Sequence, residues 1–154
     1  MANSVCEVLL TTEPLAGRTA TAIATDADGD AGAIVDFRGV VRKLEEGKEI
    51  DGIDYEAHIA MARHQLQLVV ESAAEKFQLK QVIAHHRIGF VAAGETSLFL
   101  RVQAPHRAAA FAGSKWIVDE LKKKVPIWKR PRFKIDPPSS SLRRVEPPRA
   151  SMVS

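Results

Sequence analysis

Between Ile59 and Phe77 the apolar residues Ala62, Leu66, Val69, Val70, Ala73 and Phe77 fall at helical spacing, with Arg63, Gln67, Glu71 and Glu75 on the other faces. A helix this long with one apolar stripe must bury the stripe against something. The neighbouring segments 5–10, 32–41, 50–58, 81–88 and 96–104 are apolar, β-branched or alternating, and read as strands. Pro105 opens a second predicted helix, which carries Phe111, Val118, Leu121 and Val125 on its inward stripe and stops before Pro126. Strands interrupted by two long helices, without strict β-α-β alternation, predict an α+β fold with a mostly antiparallel sheet.

Local signals refine this outline. Gly39 marks a bulge or close-approach point, and residues 45–48 form a polar turn, so segments 32–41 and 50–58 are predicted to pair as a hairpin. Residues 14–24 can hold a short helix. The acidic turn at 26–30 begins like a calcium loop but lacks the later ligands, so calcium is not expected. Residues 127–135 read as extended. From Asp136 onward the chain holds four of its eight prolines and five serines, which predicts one domain over 1–135 and a disordered or loosely docked tail over 136–154.

At 45% hydrophobic residues the domain can bury a core without staples. Cys6 is the single cysteine, which excludes an intramolecular disulfide, a zinc ribbon and a Cys-x-x-Cys redox pair; a reducing cytosol is the expected compartment. No apolar run approaches the roughly 20 residues needed to span a bilayer. The first ten residues lack a basic, then apolar, leader pattern, so no secretory signal is expected.

Metal chemistry is not predicted. His58 and His64 lie about 240° apart on a helix, and His85 and His86 point to opposite faces of a strand. The common nucleophile, zincin and P-loop signatures are missing from the sequence.

What remains is cationic. The net charge is +3, but residues 115–134 carry eight Lys/Arg against Asp119 and Glu120, leaving the remainder slightly acidic. That concentration predicts an anionic partner or ligand. Arg42 closes the 32–41 strand, which is predicted to be buried. His106 and Arg107 sit at a helix start, where free N–H groups and the dipole favour anions and a cation works against the local field. Lys122, Lys123 and Lys124 crowd the helix end, with Lys115 and Lys122 on one stripe. Lysines pushed together, or desolvated against Trp128, lose proton affinity and become usable in catalysis. A competing reading makes residues 122–134, with Trp128 and Phe133, a nucleic-acid patch of cations and stacking aromatics. Against it, the cations come from separate segments.

Five motifs in order carry a specific resemblance: Gly32-Ala-Ile-Val-Asp-Phe-Arg-Gly-Val-Val-Arg42, Tyr55-Glu56, His86-Arg-Ile-Gly89 with Gly94-Glu95, Ala104-Pro-His-Arg107, and Leu121-Lys-Lys-Lys-Val-Pro-Ile-Trp-Lys-Arg130. From about Cys6 to Arg130 the chain resembles the catalytic (large) subunit family of molybdopterin synthase. The resemblance implies an α+β hammerhead-type fold and a homodimer. It also implies a small ubiquitin-like sulfur-carrier subunit at each end, which completes a heterotetramer. The carrier's C-terminal Gly-Gly thiocarboxylate supplies the two sulfurs that turn cyclic pyranopterin monophosphate into molybdopterin. No permanently bound cofactor is implied. By motif, Lys122 and Lys129 fall on the catalytic lysines, and Arg42, His106 and Arg107 on anion-binding positions. Val40, Val41, Arg130 and Pro131 fall on flanking pocket positions. The chain departs from the family after Arg130, where Pro131-Arg-Phe-Lys-Ile-Asp-Pro-Pro replaces an acidic residue and a Gly-x-x-Trp tail.

Overall fold

The computed structural model describes residues 4–15, 29–134 and 151–152. In chain order its elements are β1 (Val5–Thr11), β2 (Ala33–Val40), β3 (Leu44–Glu45), β4 (Lys48–Ala57), α1 (Ile59–Phe77) and β5 (Gln81–Arg87). There follow β6 (Gly89–Ala92), β7 (Thr96–Ala104), α2 (Arg107–Lys124), β8 (Ile127–Phe133) and β9 (Ser151–Met152). The short helix expected at 14–24, the acidic turn at 26–28 and the tail apart from β9 lie outside the described residues.

One sheet has the order β1-β5-β7-β2, with β1 and β5 parallel and the other pairs antiparallel. A second has the order β3-β4-β8-β9, and β6 also pairs with β4. The two helices pack on each other and on the first sheet, α1 over β1 and β5 and α2 over β7 and β2. Val82, Ala84, Leu98, Leu100, Val102 and Ala104 alternate toward the helices and meet Leu66, Val70, Ala73, Ile117 and Leu121 in one core. Ile50, Ile53, Tyr55 and Ile127 of the second sheet belong to that same core. The other face of the first sheet buries Leu15, Ile83 and Phe99. The expected α+β architecture is therefore present, its antiparallel pairs divided between two sheets. No helix among the described residues is long and apolar enough to cross a membrane.

The helix α1 starts where its sequence provides a cap: His58 Nδ1 accepts the Met61 N–H at 3.3 Å. It ends at Gln78, whose left-handed backbone sends its N–H back to the Ala74 carbonyl.

Four expectations are corrected. The 32–41 segment pairs with β7, not with the 50–58 segment. Val35 sits opposite Val102, and Phe37 opposite Leu100, with the expected irregularity after Gly39. The hairpin instead joins β3 to β4 through Glu46 and Gly47, both at positive φ, the two-residue turn whose twist suits flanking strands. The same segment is a sheet edge rather than a buried strand, and leaves Ile34, Phe37 and Val40 exposed. Pro105 precedes the helix instead of opening it: His106 is the N-cap and Arg107 the first helical residue. Phe111, expected inward, is 63% exposed. The inward stripe of α2 is Ala110, Gly113, Ser114, Ile117 and Leu121, whose small members allow close approach. A Cβ on Gly113 would already stand 3.1 Å from a Leu79 methyl.

Candidate active site

Three segments carry the cations that the sequence singles out. The loop after β2 carries Arg42, and its backbone is clamped. Val41 N–H donates to the Glu95 carbonyl at 3.0 Å and Gly94 N–H to the Val41 carbonyl at 2.7 Å. Gly94 adopts φ +91°, a conformation that favours glycine. Val41 is buried, whereas Val40 and Arg42 are exposed.

The second contribution is the last turn of α2. Its carbonyl end favours the cations Lys122, Lys123 and Lys124. Asp119 is held by Lys115 at 2.7 Å and Glu120 by Lys124 at 2.8 Å. Lys122 is thereby left exposed, with no ion-pair partner among the described residues. The third is Lys129 on β8, directly opposite Tyr55 on β4. Its Nζ donates to Glu45 Oε1 at 3.1 Å, and only 13% and 16% of the two side chains is exposed. Trp128 does not desolvate this ammonium. Neighbouring strand residues point to opposite faces, and the indole is itself exposed.

His106 and Arg107 lie at the opposite end. Gly32 and Pro105 approach so closely there that a Cβ on Gly32 would stand 2.3 Å from the Pro105 carbonyl oxygen. Ala33 pairs with Ala104 at that end of β2 and Val40 with Thr96 at the other. The eight residues of β2 at about 3.3 Å each span about 26 Å. Helix α2 runs unbroken over the same interval, and sixteen residues at 1.5 Å set His106 about 24 Å from Lys122. The His106 side chain makes no capping bond and the first turn holds no acidic residue, so the α2 N-terminus stays open to an anion. His106-Arg107 and Lys122 therefore lie at opposite ends of one chain's α2.

Further along β8, Arg130 lies 3.7 Å from Glu56, Arg132 is paired with Asp54, and Lys134 lies 3.6 Å from Glu49. Pro131 is buried opposite Ile53. These pairings partly neutralise the cations that a nucleic-acid face would need. His85 and His86 do take opposite faces. His85 Nε2 meets Glu7 at 2.7 Å, and His86 stacks edge-on against Tyr55 at 5.1 Å. No cluster of three or more His, Cys, Asp or Glu suited to a metal occurs among the described residues.

Sequence reasoning missed Glu45, which read only as a turn residue, and the buried layer behind it. Burial pushes the Tyr55 hydroxyl up from its ordinary value; a hydrogen bond with Ser97 opposes this and the Glu45 carboxylate adds to it. The Ser97 hydroxyl also lies 3.2 Å from the Gly39 carbonyl, at the foot of the Val40-Val41-Arg42 loop.

Fold and charge together define an α+β protein whose helix α2 ends in a run of cations and whose β8 carries a nearly enclosed Lys129–Glu45 pair. Residues 10–124 match the family model described as MoaE protein. The molybdopterin synthase catalytic subunit of Thermoplasma volcanium is 40% identical over 101 residues, covering 66% of this chain and 74% of that relative. Its counterpart in Oryza sativa subsp. indica is 41% identical over 100 residues, 65% of this chain but 52% of that longer protein. The chain belongs to the MoaE family. A crystal structure of molybdopterin synthase from Staphylococcus aureus superposes with a TM-score of 0.70 at 26% identity, over 83% of this chain and 90% of that one. A complex of subunits 1 and 2 of molybdopterin-converting factor from Helicobacter pylori shares the fold, with a TM-score of 0.67 at 18% identity over 84% and 86% of the two chains.

Proposed function

We propose that this chain is the catalytic subunit of a molybdopterin synthase, transferring sulfur from a thiocarboxylated carrier protein to cyclic pyranopterin monophosphate. What supports the reading is the chain order of the cations: Arg42 follows the Val40 end of β2, Lys122 ends the helix packed along β2 and β7, and Lys129 meets Glu45 three residues beyond Arg42. Both reactants are anions. The ammonium groups and Arg42 draw in the carrier's thiocarboxylate and the pterin phosphate, and oppose the negative charge that develops on the carrier's carbonyl oxygen. In each transfer the thiocarboxylate sulfur bonds to a pterin side-chain carbon as that carbon's bond to oxygen breaks, the oxygen leaving on the ring-opened phosphate at one carbon and as water at the other. Water then attacks the carrier's carbonyl carbon and breaks its bond to sulfur, so the carrier leaves as a carboxylate and the sulfur stays on the pterin. Lys122 and Lys129 serve the proton movements of these steps. Two transfers give the dithiolene.

Val40 and Val41 offer backbone groups at the pocket edge, with Arg130 and Pro131 flanking it. His106 and Arg107 bind the phosphate from the far end of α2, which a homodimer brings to the lysine pocket of its partner. The partner of each catalytic chain is a small ubiquitin-like carrier ending in Gly-Gly, in keeping with the two-subunit assembly solved for the Helicobacter pylori relative. A lone, unpaired cysteine suits the reducing cytosol. The test is incubation of the purified chain with thiocarboxylated carrier and the cyclic pterin. Dithiolene product is expected; its absence, with both reactants intact, overturns the reading.

A further inference from the structure

Of Arg42, Lys122 and Lys129, only Lys129 is held by a carboxylate among the described residues: Glu45 Oε1 accepts from its Nζ at 3.1 Å, and both side chains are nearly enclosed. Arg42 and Lys122 are exposed and make no such pair. The arm that carries Glu45 is short and fixed. β3 is two residues long, registered Leu44 to Glu49 and Glu45 to Lys48, and closed by the tight Glu46-Gly47 turn. Behind the pair lies Tyr55, directly across the ladder from Lys129. Its hydroxyl is bonded to Ser97, and Ser97 in turn to the Gly39 carbonyl, which precedes the pocket loop.

We infer that Glu45 is a positioning residue for sulfur transfer, holding the Lys129 ammonium in place until the carrier's thiocarboxylate takes it over. This rests on the reading of Lys129 as a catalytic lysine. A flexible four-carbon side chain samples many rotamers, and an ion pair with an enclosed carboxylate selects one of them before the substrate arrives. The incoming thiocarboxylate is also an anion, so Glu45 competes with it for the same ammonium and repels it. Holding the lysine ready therefore weakens carrier binding while it speeds the chemical step.

The two effects separate in Glu45→Gln, which keeps the shape and removes the charge. Loss of the competing anion should tighten binding of the thiocarboxylated carrier roughly 3- to 10-fold. Loss of the positioning contact should slow single-turnover dithiolene formation by about 10-fold or more, the scale on which misplacing a reacting group slows a step. Glu45→Asp, which retains the charge on a shorter arm, should recover part of the rate and return the affinity toward that of the parent. It also serves as the test if the Gln variant folds poorly. Lys129→Ala, measured alongside, decides the underlying reading: near-normal turnover in that variant removes both the catalytic role and the positioning role. With Lys129→Ala slow, adding Glu45→Gln should slow turnover no further, because Glu45 acts through the lysine. Parental rate and affinity in Glu45→Gln overturn the proposal while leaving Lys129 its role. So does a double variant slower than Lys129→Ala by the same factor that Glu45→Gln shows alone.

Discussion

Val41 is tied to Glu95 by its backbone N–H at 3.0 Å, and Glu95 is tied in turn to the buried guanidinium of Arg87 through its carboxylate, also at 3.0 Å. The Arg87 side chain donates as well to the Phe90 carbonyl at 3.2 Å and the Thr12 carbonyl at 3.4 Å, so one cation ties together the segment after β1, strand β6 and the turn before β7. Arg87→Ala removes these charge-assisted bonds. Because Glu95 is half exposed and can be rehydrated, the expected loss is about 2–4 kcal/mol rather than more. Urea unfolding should show a lower midpoint, and the loosened loop should lower product formation beyond what the unfolded fraction explains. An unchanged midpoint would contradict the clamp.

Replacement of either pocket lysine by alanine should reduce product formation by about 10²-fold or more, the scale of a lost proton-transfer or charge-stabilising group. Their effects on folding should differ. Lys122 is exposed and unpaired among the described residues, so Lys122→Ala should melt like the parent. Lys129→Ala leaves the Glu45 carboxylate enclosed without its partner and should lower the melting temperature. Near-normal turnover in both variants would remove the proposed mechanism.

His86 gives the fold an acid limit. Burial lowers its pKa from 6.5 to about 4, opposed by the hydrogen bond its Nδ1 donates to the Arg87 carbonyl at 2.7 Å. The unfolded chain therefore takes up a proton that the folded chain refuses. The contribution of His86 is full above about pH 6.5 and declines as pH falls toward 4, at about 1.4 kcal/mol per pH unit in the steepest part. Urea midpoints measured between pH 7.5 and 4.5 should fall accordingly, and His86→Gln should flatten the profile. An equally steep profile in the variant would assign the acid sensitivity elsewhere.

Much of this arrangement is readable from residues alone because periodicity reports burial. The Leu66-Val69-Val70-Ala73 stripe could belong only to a helix on a sheet, and α1 has the predicted bounds. Periodicity does not say which strand pairs with which: by sequence the 32–41 segment suits its chain neighbour as well as β7, its partner in the fold. It also overvalues size. Phe111 was placed inward for its ring, while Ala110, Gly113 and Ser114, with little hydrophobic signal, make the close contact. Arg42, His106, Arg107, Lys122 and Lys129 were singled out because they broke local rules or matched a motif. Glu45 did neither. A carboxylate in a polar turn is ordinary until the fold sets it against a lysine 84 residues away.

The carrier should bind through its tail and through charge. Glycine lacks the side chain that would block a narrow channel, and the terminal thiocarboxylate seeks the pocket cations. Affinity should fall as salt is raised from low to physiological ionic strength, because the exposed Arg42 and Lys122 are screened. Removing the last two carrier residues should abolish most binding, as read by titration calorimetry. Equal affinity for the truncated carrier would show that a different surface is recognised.

The longest element in the site predicts that catalysis needs two chains. Helix α2 is uninterrupted from Arg107 to Lys124, so His106 and Lys122 stay about 24 Å apart in any one chain. A pterin monophosphate roughly 10 Å long cannot reach both, even with both side chains extended. If two chains pack with these helices antiparallel, the His106-Arg107 end of one meets the Lys122 and Lys129 end of the other, and two-fold symmetry builds that site twice. A chain carrying His106→Ala and Arg107→Ala should be inactive, and so should one carrying Lys122→Ala. When the two are mixed and allowed to exchange, half the dimers are mixed, and each of these holds one site with both ends intact. Activity should return to about a quarter of the parental value. Exchange confirmed by mass spectrometry without recovered activity would overturn the shared site.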